Sequence, residues 1–217
     1  MRLIKVLDLI EMGENYHCEF KRKFSTQKKI AKEMIAFANS GGGFILFGID
    51  DDRKVIGIES EKSEADLIGD SANNYCEPPI DYNIEYKEIK GKEIVIVEIP
   101  ESNKKPHRIQ DYKNAININD ALVSVRVNDK SVLASKEMIK IMINKSNGST
   151  LKNYSIGVNE KIVFEYLDEN ETITVLQLKQ IVNISGRKAS RTLIKMVRAN
   201  LLFLHKNENS QEYFSSK

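Results

Sequence analysis

The run AFANSGGGFILFGIDDD, residues 36–52, constrains the fold of this chain more than any other stretch. Just before and into it, Ile30, Ala31, Met34, Ile35 and Ala38 recur at the spacing of one helical stripe, with Lys28, Lys29, Lys32 and Glu33 off it. Ser25 is placed to cap that helix. Gly41, Gly42 and Gly43 stop it, because glycine adopts the left-handed conformation of a C-terminal cap without a Cβ penalty. FILFGI is too short for another helix, and an apolar run of that length suits a strand buried on both faces. Asp50, Asp51 and Asp52 leave the strand in a turn, and residues 55–58 are expected to pair back on 44–49 as a hairpin. This order does not make a phosphate loop, which needs its strand before the glycines and a helix N-terminus after them.

Upstream, Leu3, Val6, Leu7 and Ile10 predict a short opening helix. Cys18 and Phe20 alternate with Glu19 and Lys21, the period of a half-buried strand with the two charged groups on one face. Downstream, a helix spans 63–75 and ends at Pro78 and Pro79. Ile80, Tyr82, Ile84 and Tyr86 alternate, Gly91 turns, and 94–99 is a buried partner strand. Residues 106–119 read as a loop with one irregular strand at most, 122–127 as a strand, and Ser135 caps a helix to about residue 144 with Met138, Ile141 and Met142 on one face. Strands and helices interleaved with hairpins predict an α+β fold, a mixed sheet with helices packed on it, rather than a doubly wound parallel sheet.

The last third has a different pattern. Ile162, Val163, Tyr166 and Leu167 mark one helix, and Thr174 with Gln177 forms a capping box opening a second. After a turn at 183–186 a third helix runs over about 187–200, with Ala189, Leu193, Val197 and Leu201 as its buried stripe. Residues 201–204 and 213–214 could pair as a wing. The expected division is a first domain over 1–146, a linker over 147–158 and a small second domain over 159–217.

Five words in one order, GE-x4-EFK, AFAN-S-GGG, FGIDDD, IPES-x3-P and VSVRVND, resemble the Schlafen AlbA-type domain. That family is described as DNA-binding and was formerly labelled a divergent AAA ATPase domain. The resemblance covers roughly the first two thirds of the chain. The segment VNISGRKASRTLIKMVRANLL resembles the helix-turn-helix of a winged-helix domain. In RNA-cleaving Schlafen relatives three acids form the catalytic set. The resemblance carries this to Glu14 and Glu19, with Asp50 or Asp51 as the third acid and Lys21 able to stabilise developing charge. As a nuclease the chain would hold Mg²⁺ or Mn²⁺ through Glu14, Glu19 and Asp50. Five residues do not put Glu14 and Glu19 on one face of a regular element, so the chain must bend near Asn15 for them to meet. The structural alternative is an ion-pair network of Glu19, Lys21 and the aspartates that holds helix to sheet.

Net charge is only +2, which excludes a globally basic nucleic-acid protein, but its distribution is uneven. From residue 151 onward ten Lys and Arg meet seven Asp and Glu, a net of +3, which leaves −1 for residues 1–150. No acid occurs between Glu171 and Glu208, and Arg187, Arg191, Lys195 and Arg198 advance by four, four and three along the third helix as one basic stripe. Ser190 and Arg191 are the expected base contacts, with Lys188 and Lys195 on phosphates. A second candidate patch is Arg22 and Lys23 with Lys28 and Lys29, crowding a helix start where cations oppose the dipole and an anion would offset them. The alternative for both is a solvated basic face.

His17, His107 and His205 are well separated, and the two cysteines have no paired spacing, so no zinc cluster or disulfide framework is expected and Cys18 is read as core. No apolar run approaches the ~20 residues of a membrane span. The resulting expectation is a cytoplasmic, homodimeric, DNA-binding transcriptional regulator without a required cofactor, with RNA as a further candidate partner and no membrane association. The two other readings are the metal-dependent nuclease and, from the older family label alone, an ATP or nucleotide sensor.

Overall fold

The computed structural model describes residues 1–58, 61–146, 154–207, 209 and 211–216. The chain divides into two compact units, Met1–Ala134 and Ser135–Lys217. Most of the expected linker, residues 147–153, lies outside the described residues.

The first unit is built on a four-stranded mixed sheet, α+β as the patterns predict. Its strands are β1 (Cys18–Lys21), β2 (Gly43–Phe47), β4 (Asn83–Ile89) and β5 (Lys92–Ile99), in the order β1-β2-β5-β4. β1 runs parallel to β2, and the other pairings are antiparallel. A parallel neighbour needs a crossover, and α2 (Gln27–Asn39) supplies it. One sheet face carries Ile45, Phe47, Val95 and Val97 under α2 and α3 (Glu61–Asn74). The other carries Phe20, Leu46, Ile94 and Ile96 under α1 (Leu3–Met12), which buries Val6 and Ile10 but leaves Leu3 and Leu7 exposed. β2 and β5 are therefore covered on both faces, as their unbroken apolar runs require.

Two short ladders complete the unit. β3 (Cys76–Glu77) pairs with β6 (Arg108–Ile109), the one irregular strand expected in the 106–119 loop. β7 (Ser124–Val127) pairs with β8 (Lys130–Leu133), a hairpin arm absent from the sequence patterns, and β7 packs against α2. The helix stop falls where the glycines place it: Ser40 and Gly42 both donate to the Phe37 carbonyl, and Gly42 has φ +70°. Its N-cap is Thr26, not Ser25, because the first helical turn begins one residue later and the Thr26 hydroxyl accepts from Lys29 N. The expected pairing of 55–58 with 44–49 shrinks to a single bridge, Ile49 to Val55. Both edges of β2 are already taken by β1 and β5, so Ile56 and Gly57 turn to donate to the Gly48 carbonyl and Ile58 to that of Glu93.

The second unit contains α4 (Lys136–Ser146), α5 (Val158–Glu169), α6 (Val175–Val182), α7 (Gly186–Arg198) and the hairpin β9 (Leu202–Lys206) with β10 (Glu212–Ser216). Ser135 caps α4 by accepting from Met138 N at 3.0 Å. The Thr174–Gln177 capping box opens α6, and Asn183 closes it in the left-handed region at φ 52°. Ile173 bridges Phe214, which adds a strand-like residue beside the hairpin. Val163, Leu167, Leu178, Leu193, Met196 and Phe214 form the core. Three helices and a β-hairpin around this core are compatible with a winged helix. On α7, Ala189, Leu193 and Met196 are fully buried while Val197, expected in that stripe, is half-buried, as is Leu201, which lies beyond the end of the helix.

Candidate nucleic-acid interface

In the first unit three of the sequence words, GE-x4-EFK, AFAN-S-GGG and VSVRVND, meet at Arg126, from VSVRVND. Its side chain is fully buried and five-fold engaged. Nη1 donates to Glu19 Oε2 at 2.9 Å, to Ser131 Oγ at 3.0 Å and to Glu33 Oε2 at 3.5 Å. Nη2 donates to the carbonyls of Asn15 at 2.8 Å and Asp129 at 2.9 Å. The guanidinium also lies over the Phe37 ring, 4.6 Å from its centroid, and Arg126 N donates to Ser40 Oγ at 2.9 Å. Glu33 and Phe37 lie one turn apart on α2 and Ser40 is its C-cap, so one side of the helix end cradles the arginine. The planar fork of arginine suits this many acceptors in a way a lysine does not.

Asn39, from AFAN, acts likewise one turn on. Its Nδ2 donates to the carbonyls of His107 at 2.8 Å and Ser124 at 3.0 Å, and its Oδ1 accepts from His107 N at 2.8 Å. The His107 ring bridges Pro78 O and Ser102 Oγ, and burial pushes its pKa down, partly countered by the Pro78 contact. Gly42 lies so close to the 99–101 segment that a Cβ there would meet Ile99 O and Glu101 N at 2.8 Å.

The acidic residues join this network. The chain turns back at Asn15 and Cys18, whose backbones exchange two hydrogen bonds, which is the bend Glu14 needs to approach Glu19. Glu14 Oε1 accepts from Phe20 N at 2.9 Å. Burial raises the Glu14 pKa most, the Phe20 N–H opposes this, and the charges of Glu19 and Asp51 raise it further against Lys21. Glu19 is only 8% exposed, with one oxygen on Lys21 and the other on Arg126. The Glu33 pKa is raised by burial and then by Glu19, with Ser131 pulling it back. Asp50 faces Arg22 at 3.4 Å and accepts from Asp51 N at 2.7 Å. Among the described residues no three His, Cys, Asp or Glu side chains are placed to hold a metal ion. Cys18 is core, its thiol pushed up to about 12, first by burial and then by Glu14 and Glu19. Arg22, Lys23, Lys28 and Lys29 are all exposed, and the first turn of α2 has no acid to balance them.

In the second unit Ser185 caps α7, its hydroxyl accepting from Lys188 N at 3.3 Å. Arg187, Lys188, Arg191 and Lys195 are exposed and Arg198 is half-buried. Arg187, Arg191, Lys195 and Arg198 line one open groove of about 920 Å³ together with Glu137 and Lys140 of α4. Ser190 is half-buried, and its hydroxyl donates to Glu137 Oε1 at 3.2 Å. Glu212, on the same groove, is held by Ser135, and its pKa is raised by burial first and by Glu137 as well.

Arg126, Glu33 and Asn39 were missed as a set by sequence reasoning. Arg126 stands 107 positions from Glu19 and 93 from Glu33, and only the quoted words hinted that their segments meet. Glu137 beside Ser190 had no sequence signal.

A family profile described as Schlafen, AlbA_2 matches residues 14–135, so the words that converge on Arg126 and Asn39 are those of a known domain. The chain belongs to that family. It is 28% identical over 189 residues to an uncharacterized ATP-binding protein of Ureaplasma parvum, a match that takes in 84% of this chain and 46% of that protein. The chain thus spans just under half the length of this curated relative. Among solved structures, the N-terminal domain of a protein from Nitrosomonas europaea named as related to the ATP-dependent DNA helicase RecG superposes with TM-score 0.44 at 21% identity. That match covers 54% of this chain and 84% of that one. The DIP2311 protein of Corynebacterium diphtheriae superposes with TM-score 0.49 at 12% identity, over 99% of this chain and 38% of that one. Family membership rests on the profile match. No helix among the described residues is long and apolar enough to cross a membrane.

Proposed function

We propose that this protein binds nucleic acid through the basic face of α7, and that it does so as a DNA-binding regulator of transcription with the second unit acting as a winged helix. The observation that carries the reading is the stripe of Arg187, Arg191, Lys195 and Arg198 on one helix face, in a span that has no acid between Glu171 and Glu208. Each phosphate such a stripe neutralises releases counterions, so affinity is gained in a salt-dependent way. Helix-turn-helix order, with α6 before α7 and a hairpin after, would present Arg191 to base edges and Lys188 and Lys195 to phosphates. One such helix supplies limited specificity, so a homodimer on two half-sites belongs to the proposal. The exposed Arg22, Lys23, Lys28 and Lys29 of the first unit offer a second phosphate-binding patch.

The buried engagement of Glu19 with Arg126 and Lys21 favours a structural role for the family's acids over metal-assisted cleavage. Gel retardation of labelled duplex DNA and structured RNA, run beside a cleavage gel with and without Mn²⁺, tests both points. Retarded, intact duplex is expected. Mn²⁺-dependent cutting that Glu19→Gln removes would instead make Glu14, Glu19, Asp50 and Asp51 the functional residues.

A further inference from the structure

We infer that α4 is an internal cover for the reading face of α7, and that duplex DNA binds the form in which α4 has lifted away. The inference rests on the assignment of α7 above and concerns its regulation.

The contact lies within the second unit. α4 packs against α7, and Glu137 Oε1 accepts the Ser190 hydroxyl proton at 3.2 Å, at the position expected to contact a base. The acid-free span from 172 to 207 thus receives a carboxylate from outside itself, set against the face that would meet phosphates. Glu212 adds a second acid to the same groove, fixed there by Ser135. Ile194 points to this groove and is nevertheless buried, although it lies outside the three-helix core.

Sterics lead to the same conclusion. The major groove of B-DNA is about 12 Å wide and admits one helix, itself about 10–12 Å across with its side chains. Packed helices lie about 8–10 Å apart axis to axis, so α7 with α4 beside it forms a ridge nearly two helices wide. The basic stripe is left as one bank of a groove whose other bank is α4. Full entry of α7 into duplex DNA requires the α4 contact to open, and apparent affinity is reduced by the fraction of molecules in which it is closed.

The test uses the full chain and a fluorescein-labelled 20-base-pair duplex. Glu137→Ala removes the bond to Ser190, and Glu165→Ala, an exposed position on α5, removes the same charge elsewhere. Anisotropy titration should give Glu137→Ala about threefold to tenfold tighter duplex binding than Glu165→Ala, as a larger open fraction predicts. Hydrogen exchange of the unaltered chain should show α4 amides exchanging faster, and α7 amides slower, when duplex is saturating. Equal affinity of the two variants, or α4 amides that stay as protected on DNA as off it, overturns the cover. Arg191→Glu with Arg198→Glu separates the two claims. If that chain binds duplex as the unaltered protein does, the assignment of α7 falls; if it loses binding while Glu137→Ala gains nothing, the cover alone falls.

Discussion

Arg126 decides the first unit at the scale of a single residue. A guanidinium with no solvent exposure is tolerable because five acceptors at Nη1 and Nη2 and an aromatic face replace most of its water, Nε alone being buried without a hydrogen-bond partner among the described residues. Removing it strands the Glu19 carboxylate at 8% exposure with Lys21 alone. Arg126→Ala should therefore destabilise the unit by about 3–5 kcal/mol in urea unfolding, the usual cost of leaving half of a buried pair uncompensated. A loss under about 1 kcal/mol would mean that the network is not holding β7 to α2. Glu33 makes the pH prediction. Its pKa is raised by burial and by Glu19, so the folded state binds its proton more tightly than the unfolded state. Stability from this group is thus largest below the ordinary glutamate range and falls as pH rises from there through the raised folded value. Glu33→Gln should flatten that part of the stability profile. A profile unchanged in slope would contradict it.

Among elements, the passage from α2 through the glycines into β2 positions everything else in the first unit. Gly42→Ala should cost about 2 kcal/mol or more, because φ is +70° and the new Cβ would face backbone atoms at 2.8 Å that cannot swing aside. A thermal melt matching the unaltered chain would contradict this. The same passage shows what a sequence can disclose. The stripe of α2, the glycine stop, the buried run of β2, the β4–β5 hairpin and the capping box of α6 are all local signals, and each is found where the pattern put it. What was illegible depends on partners far away in the chain. The 55–58 segment has strand-like residues but finds both edges of β2 occupied. β8 has only four residues of weak alternation and exists because β7 needs a partner. In the candidate interface the basic stripe of α7 was legible as spacing alone, whereas the Glu137–Ser190 bond joins residues 53 positions apart and could not be read locally.

The whole molecule joins two kinds of charge organisation. In the first unit, carboxylates and a buried arginine neutralise one another inside a packed network; in the second, Arg187, Lys188, Arg191 and Lys195 stand exposed on one helix. The buried network leaves no field that a polyanion can use, whereas the exposed stripe does. The most direct measurement is a salt titration of duplex affinity for the unaltered chain and for Arg191→Glu with Arg198→Glu. Log affinity of the unaltered chain should fall linearly with log salt, with a slope of roughly −0.9 for each phosphate contacted, and the double charge reversal should remove measurable binding. Equal affinity and equal slope for the two chains would contradict the assignment of α7 as the nucleic-acid-binding element.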